Sequence, residues 1–82
     1  EKKMYVVKEG KSEYYLIAHV DKGGSARVMV HGASGQVLGS RMVNLTAGYN
    51  RIAVPSTIDI PGMRIITLHD KDQLAFSQKI TQ

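Results

Sequence analysis

Three histidines, His19, His31 and His69, are the only imidazoles in this chain, and there is no cysteine. A zinc or copper site would need all three to converge. None has a histidine partner two residues away, and each falls in an alternating apolar stretch, so structural or surface roles are expected of them. The carboxylates of Asp21, Asp59, Asp70 and Asp72 are the calcium-type candidates. Asp70-Lys71-Asp72 lacks the run of oxygen ligands and the closing acid of a calcium loop. It reads as a turn stabilised by aspartate side chains. Ser34 stands between Ala33 and Gly35 and not in a Gly-x-Ser-x-Gly elbow, so no nucleophile is identified. The Gly32–Gly35 spacing has no helix behind it to bind phosphate. The expectation is a non-enzymatic domain with no catalytic residue, no metal and no cofactor.

The elements around these residues are strands. Val, Ile, Thr and Tyr are frequent, apolar residues alternate or run in short blocks, and Gly or Pro punctuates every ten or so residues. That spacing belongs to an all-β sandwich or barrel. Seven strands are predicted, over residues 3–8, 13–20, 25–31, 36–44, 49–54, 63–69 and 74–80. Met4, Val6 and Val7 are expected to be buried in the first. In the second, Tyr15, Ile17 and His19 share one face, and Tyr14, Leu16, Ala18 and Val20 share the other. Ala26, Val28 and Val30 oppose Arg27, Met29 and His31 in the third. Gly32-Ala33-Ser34-Gly35 makes a hairpin loop, Pro55 ends the fifth strand, and residues 56–61 form a crossing loop. Pro61-Gly62 reads as the centre of a type II turn, with glycine at positive φ. The predicted architecture is an immunoglobulin-like sandwich of about seven antiparallel strands in two sheets. It lacks the Cys…Trp…Cys core of antibody domains.

With 82 residues the chain makes one domain. Its 22% charged content with 43% hydrophobic residues argues against disorder. The net charge of +4 permits attraction to acidic partners, but only Lys2-Lys3 are adjacent and no basic cluster interleaves with aromatics, so no nucleic-acid partner is expected. No apolar run is long enough for a membrane helix. The chain begins at Glu1 without a methionine, which reads as a segment of a longer protein.

From Ser25 onward, the order of short blocks resembles a known family. Arg27-Val28-Met29-Val30-His31-Gly32 is followed by the glycine turn Ser34-Gly35-Gln36-Val37-Leu38 and by Leu45-Thr46-Ala47-Gly48-Tyr49-Asn50. Next come Ile60-Pro61-Gly62-Met63-Arg64-Ile65-Ile66-Thr67-Leu68, Asp70-Lys71-Asp72-Gln73-Leu74 and Ser77-Gln78-Lys79-Ile80. This series is similar to the immunoglobulin-like C-terminal sorting domain of type IX secretion cargo in Bacteroidetes. Arg64 stands where that family usually has an aromatic, His31-Gly32 replaces Tyr-Asp, and Gln73 stands near the usual turn glycine.

The resemblance implies a sorting signal exported through the periplasm and outer membrane to the cell surface or medium. Its implied partners are an outer-membrane translocon, a barrel shuttle protein and a surface sortase that removes the domain. The implied recognition residues are Gly35, Gly48, Pro61, Gly62, Lys79, Ile80, Thr81 and Gln82, with the last strand open to strand addition. A homodimer through edge strands is a further expectation. The alternative is an adhesion or carbohydrate-binding module in which Tyr14, Tyr15 and Tyr49 stack on sugar rings.

Overall fold

The computed structural model describes residues 3–10, 13–55 and 62–81. Within them lie seven strands: β1 (Met4–Glu9), β2 (Glu13–Val20), β3 (Gly24–Gly32), β4 (Val37–Leu45), β5 (Gly48–Ala53), β6 (Met63–Asp70) and β7 (Gln73–Thr81). The strands form a three-stranded sheet, β1-β2-β5, and a four-stranded sheet, β4-β3-β6-β7, and every pairing is antiparallel. This is the expected all-β sandwich. Strand four lies beside strand three, whereas the constant-type immunoglobulin arrangement keeps it with strands one, two and five.

The alternation of β2, β3 and β6 explains why two layers form. Leu16, Ala26, Val28, Ile52 and Leu68 make the central cluster, and Met4, Val6, Val43, Leu45, Val54 and Phe76 pack around it. Ile66 and Val30 are also sealed from solvent. Each fully buried aliphatic side chain stabilises the fold by about 1.5–3 kcal/mol relative to exposure. Val7 lies half-buried on the outer side of β1 and not in the core.

One buried apolar side chain breaks the two-layer pattern. Ile17 is only 4% exposed, yet its neighbours Leu16 and Ala18 point into the sandwich, so Ile17 faces outward. Side chains of the outer face close over it.

Two hairpins show how turn chemistry sets register. The β3–β4 loop closes with Gly32 N–H donating to the Gln36 carbonyl at 2.9 Å and Gly35 N–H donating to the Gly32 carbonyl at 3.0 Å. The β6–β7 loop has two central residues, Lys71 and Asp72, at φ of 52° and 65°, between the paired Asp70 and Gln73. Both central φ values are positive, as in a type I′ turn, which Asn-Gly fits best. Neither residue here is glycine, so the hairpin holds backbone strain. Replacing Lys71-Asp72 by Asn-Gly is expected to raise the unfolding free energy by about 1 kcal/mol, less what glycine costs in chain entropy. Urea denaturation measures this, and a lowered midpoint would contradict the turn assignment.

Candidate functional site

The residues implied as a recognition signal divide between the two ends of the sandwich. Gly35 lies at the β3–β4 hairpin, beside the end of β3 where Gly32 pairs with Arg64 of β6. At that same end, Lys79, Ile80 and Thr81 of β7 pair with Ile65, Arg64 and Met63, and Gly62 leads into β6. Gly48 lies at the opposite end, paired with Val20. The fold therefore gathers Gly35, Gly62 and the end of β7, and separates Gly48 from them. Pro61 and Gln82 lie outside the described residues, as does the crossing loop 56–61.

Gly62 has a φ of 149°, positive as expected but wider than the roughly +80° at the glycine position of a type II turn. A Cβ there would also sit 3.3 Å from Nη1 of Arg64. Arg64 is 8% exposed and its Nη1 donates to the Met63 carbonyl at 3.0 Å. A buried arginine therefore fills an inward position of β6.

The segment Leu45–Asn50 carries the chain from the four-stranded sheet to the three-stranded one. Gly48 turns with a φ of 98°, a conformation that a Cβ disfavours. Asn50, 9% exposed, folds its side chain back into the crossing. Its Nδ2 donates to the carbonyls of Thr46 at 2.8 Å, Gly48 at 3.1 Å and Ala18 at 3.3 Å. Its Oδ1 accepts from Thr46 N–H at 2.9 Å and from Thr46 Oγ1 at 3.3 Å. Asn50 was visible in the sequence as the last residue of a motif block, but no role followed from its type alone.

The edges of the sheets are closed by side chains. Gln78 of β7 points inward, and its Oε1 accepts from Val6 N–H of β1 at 3.3 Å. On the other side Arg41 of β4 sits on the inward face opposite Val28. It donates to the Ala53 carbonyl of β5 at 3.3 Å. An inward charge on an edge strand hinders pairing with a further strand. Lateral pairing between copies has to work against both devices.

The histidines do not meet. His31 and His69 lie on the outer side of the four-stranded sheet, where His31 Nε2 contacts Thr67 Oγ1 at 3.3 Å. His19 lies on the outer side of the other sheet, edge-on to Tyr49 with ring centroids 5.3 Å apart. Among the described residues, no three His, Asp or Glu side chains group as metal ligands.

The outer face of the three-stranded sheet is the other chemically distinctive surface. Registry places Tyr5, Ile17 and Arg51 in one row, Val7, Tyr15 and Ala53 in the next, and His19 beside Tyr49. Arg51 lies over the Tyr15 ring at 3.7 Å from its centroid, and its Nη2 meets Glu9 Oε2 at 2.5 Å. The hydrogen bond to Glu9 pushes the guanidinium above its ordinary arginine value, with burial opposing. Tyr49 is 57% exposed. Tyr14 is elsewhere, half-buried on the inward side with Lys8 Nζ 5.9 Å from its ring centroid. Tyr5, not singled out from the sequence, belongs to the outer cluster because β1 pairs with β2 in this register.

No protein-family profile, curated protein or solved structure matches the chain.

Asn50→Ala is expected to cost about 2–3 kcal/mol, because it leaves the Thr46 N–H and three carbonyls without their partner. That is a large fraction of the roughly 5–10 kcal/mol available to a domain of this size. Asn50→Asp should cost more, since it turns a carboxylate oxygen toward those carbonyls. Chemical denaturation of both variants tests the order, and an Asn50→Ala protein as stable as the parent would contradict it.

Proposed function

We propose that this domain is a non-enzymatic C-terminal sorting signal that directs a cargo protein across the outer membrane by the type IX secretion system. In this reading a surface sortase removes the domain once the cargo has crossed. The domain is the substrate of that chemistry and supplies none of its groups.

The observation that carries the reading is the order of the motif blocks together with the structural work each block does. The glycine turn at Gly35 closes a hairpin. Leu45–Asn50 makes the crossing between sheets that Asn50 ties down. Gly62 leads into β6, and Lys79–Thr81 finish β7. The blocks of the similar family thus coincide with the joints of this sandwich, where sequence is most constrained by backbone geometry. Recognition by the translocon and barrel shuttle is assigned to the end of the molecule that joins Gly35, Gly62 and β7. Strand addition at the last residues of β7, Lys79–Thr81, beyond the Gln78 contact with Val6, would give a backbone-based contact that tolerates many cargoes.

The test separates recognition from folding. Removing residues 79–82 deletes the last β6–β7 pairs but keeps Gln78, which caps Val6, and leaves the central cluster whole. Gly62→Val should strain the backbone by about 1–3 kcal/mol, so its folding and export should fail together. Each version is fused to a reporter bearing a periplasmic export signal, in a type IX-competent cell, and followed by fractionation and protease resistance. The full domain is expected to deliver the reporter to the surface, and the trimmed domain to stay folded and strand it in the periplasm. Delivery undiminished by the trim would overturn the role of β7. Delivery undiminished by loss of the whole domain would overturn the sorting function.

A further inference from the structure

On the outer side of the four-stranded sheet the register sets three rows of side chains: Met42–Arg27–His69–Leu74, Ser40–Met29–Thr67–Ser77 and Val37–His31–Ile65–Lys79. None of these residues is an Asp or Glu, and none is a Tyr or Phe. Arg27 and Lys79 are exposed, and the Arg27 guanidinium donates to a neutral hydroxyl, Ser40 Oγ, at 2.9 Å. The exposed apolar side chains stand on the two edge strands: Val37 (52% exposed) and Met42 (54%) on β4, and Leu74 (60%) on β7. Between the edges, Met29 and Ile65 are half-buried and Thr67 is buried. Apolar groups therefore mark three corners of a face whose exposed middle is polar and cationic.

We propose that this face is a docking surface for an anionic lipid bilayer. Charge complementarity fixes the sign of the partner, because the rows carry Arg27 and Lys79 and no carboxylate. The arrangement of apolar groups then decides against a folded protein. A protein interface buries a central apolar cluster behind a polar rim, and here the order is inverted. Strands about 4.8 Å apart with rows about 6.6–7 Å apart also give roughly 300–400 Å², against about 800 Å² per side for a stable protein interface. Lipids rearrange around separate side chains. Each basic residue adds its own attraction to the charged headgroups, and each apolar corner adds its own burial at the boundary between headgroups and acyl chains. A nucleic acid would find no aromatic ring on which to stack a base and would leave the apolar corners in water.

The Met42 end of the face supplies a seat for a headgroup. A recess of about 330 Å³ is lined there by Arg27, His69 and Lys71, with Met29 and Met42 as apolar wall and Asp72 as its acid. His69 Nδ1 is buried and has no hydrogen-bond partner among the described residues. Arg27 and Lys71 place two cations around one lipid phosphate, while Met42 and Leu74 reach past it toward the acyl chains. The proposal is independent of the sorting function: of the residues assigned to that signal only Lys79 stands in these rows, and the test leaves Lys79 in place.

The experiment sediments the 82-residue protein with vesicles of phosphatidylcholine alone and of phosphatidylcholine with phosphatidylglycerol. Binding is expected only to the phosphatidylglycerol vesicles, near about 1 mM accessible lipid, and is lost at high salt. Arg27→Gln and Lys71→Gln should each weaken it about fivefold, and Met42→Ser and Leu74→Ser about threefold. All four side chains are solvent-exposed, so a urea midpoint near the parent's is expected for each. Lys8→Gln, an exposed lysine of the other sheet, should leave binding unchanged. No binding to phosphatidylglycerol vesicles would overturn the proposal. A loss with Lys8→Gln as large as with Lys71→Gln would reduce the effect to net charge and overturn it too. Light scattering that shows a dimer abolished by Met42→Ser and Leu74→Ser would assign the face to a second copy. Single-stranded DNA that binds more tightly than the vesicles, with no loss on Met42→Ser, would assign it to nucleic acid. Either result contradicts the bilayer.

Discussion

The crossing from β4 to β5 is the constraint on which the rest of the sandwich depends. The chain must leave one sheet and enter the other within two residues, Thr46 and Ala47. A bend that tight turns backbone groups away from either ladder, and the part-buried groups among them lose stability if left unpaired. Asn50 resolves this with one side chain that carries donors and an acceptor on opposite arms. Its bond to the Ala18 carbonyl, 32 residues away in sequence, ties the bend to the central strand of the three-stranded sheet. With β5 fixed beside β2, Ile52 enters the core cluster, and Tyr49 and Arg51 come to stand on the outer face. Core packing, outer aromatic face and edge closure by Arg41 on Ala53 thus share one anchor.

A two-layer domain of 82 residues has little surplus stability, and its edges show how that surplus is protected. Gln78 and Arg41 each reach across from one sheet to the backbone of the other. Both polar groups occupy inward positions at the margin, where an aliphatic residue would bury more surface but leave the edge open to a further strand. One such side chain bridges β7 to β1 and another bridges β4 to β5, while Gly35 and Gly48 lie exposed at the ends.

The seven strands were legible in the sequence because alternation, clearest over Ala26–Val30, marks a buried face without reference to anything distant. Pro55 and the glycines then mark the ends of strands. What stayed hidden depends on residues far apart in the chain. Asn50 looks like any polar residue in an alternating strand until Ala18 and Thr46 surround it. Ile17 reads as an outward residue, and so it is, but its burial comes from rings and a guanidinium on two other strands. The pairing of strand four with strand three was legible in the glycine-containing hairpin loop Gly32–Gly35. The bulges at Val30/His31 and Leu68/His69 shift register by one residue, which no local pattern records. Of the residues that the resemblance implies for recognition, Gly35, Gly62 and Lys79–Thr81 share an end only because β6 lies between β3 and β7.

Native-state hydrogen exchange at the Thr46 amide tests the anchoring role of Asn50 most directly. This amide belongs to no strand ladder, and its bond is to Asn50 Oδ1 at 2.9 Å. If the crossing is locked to the core, Thr46 exchanges only when the whole domain unfolds, with the same opening free energy as the amides of Leu16 and Val28. Exchange of Thr46 through a local opening, several kcal/mol easier than for those core amides, would contradict the account and reduce the crossing to an ordinary surface loop.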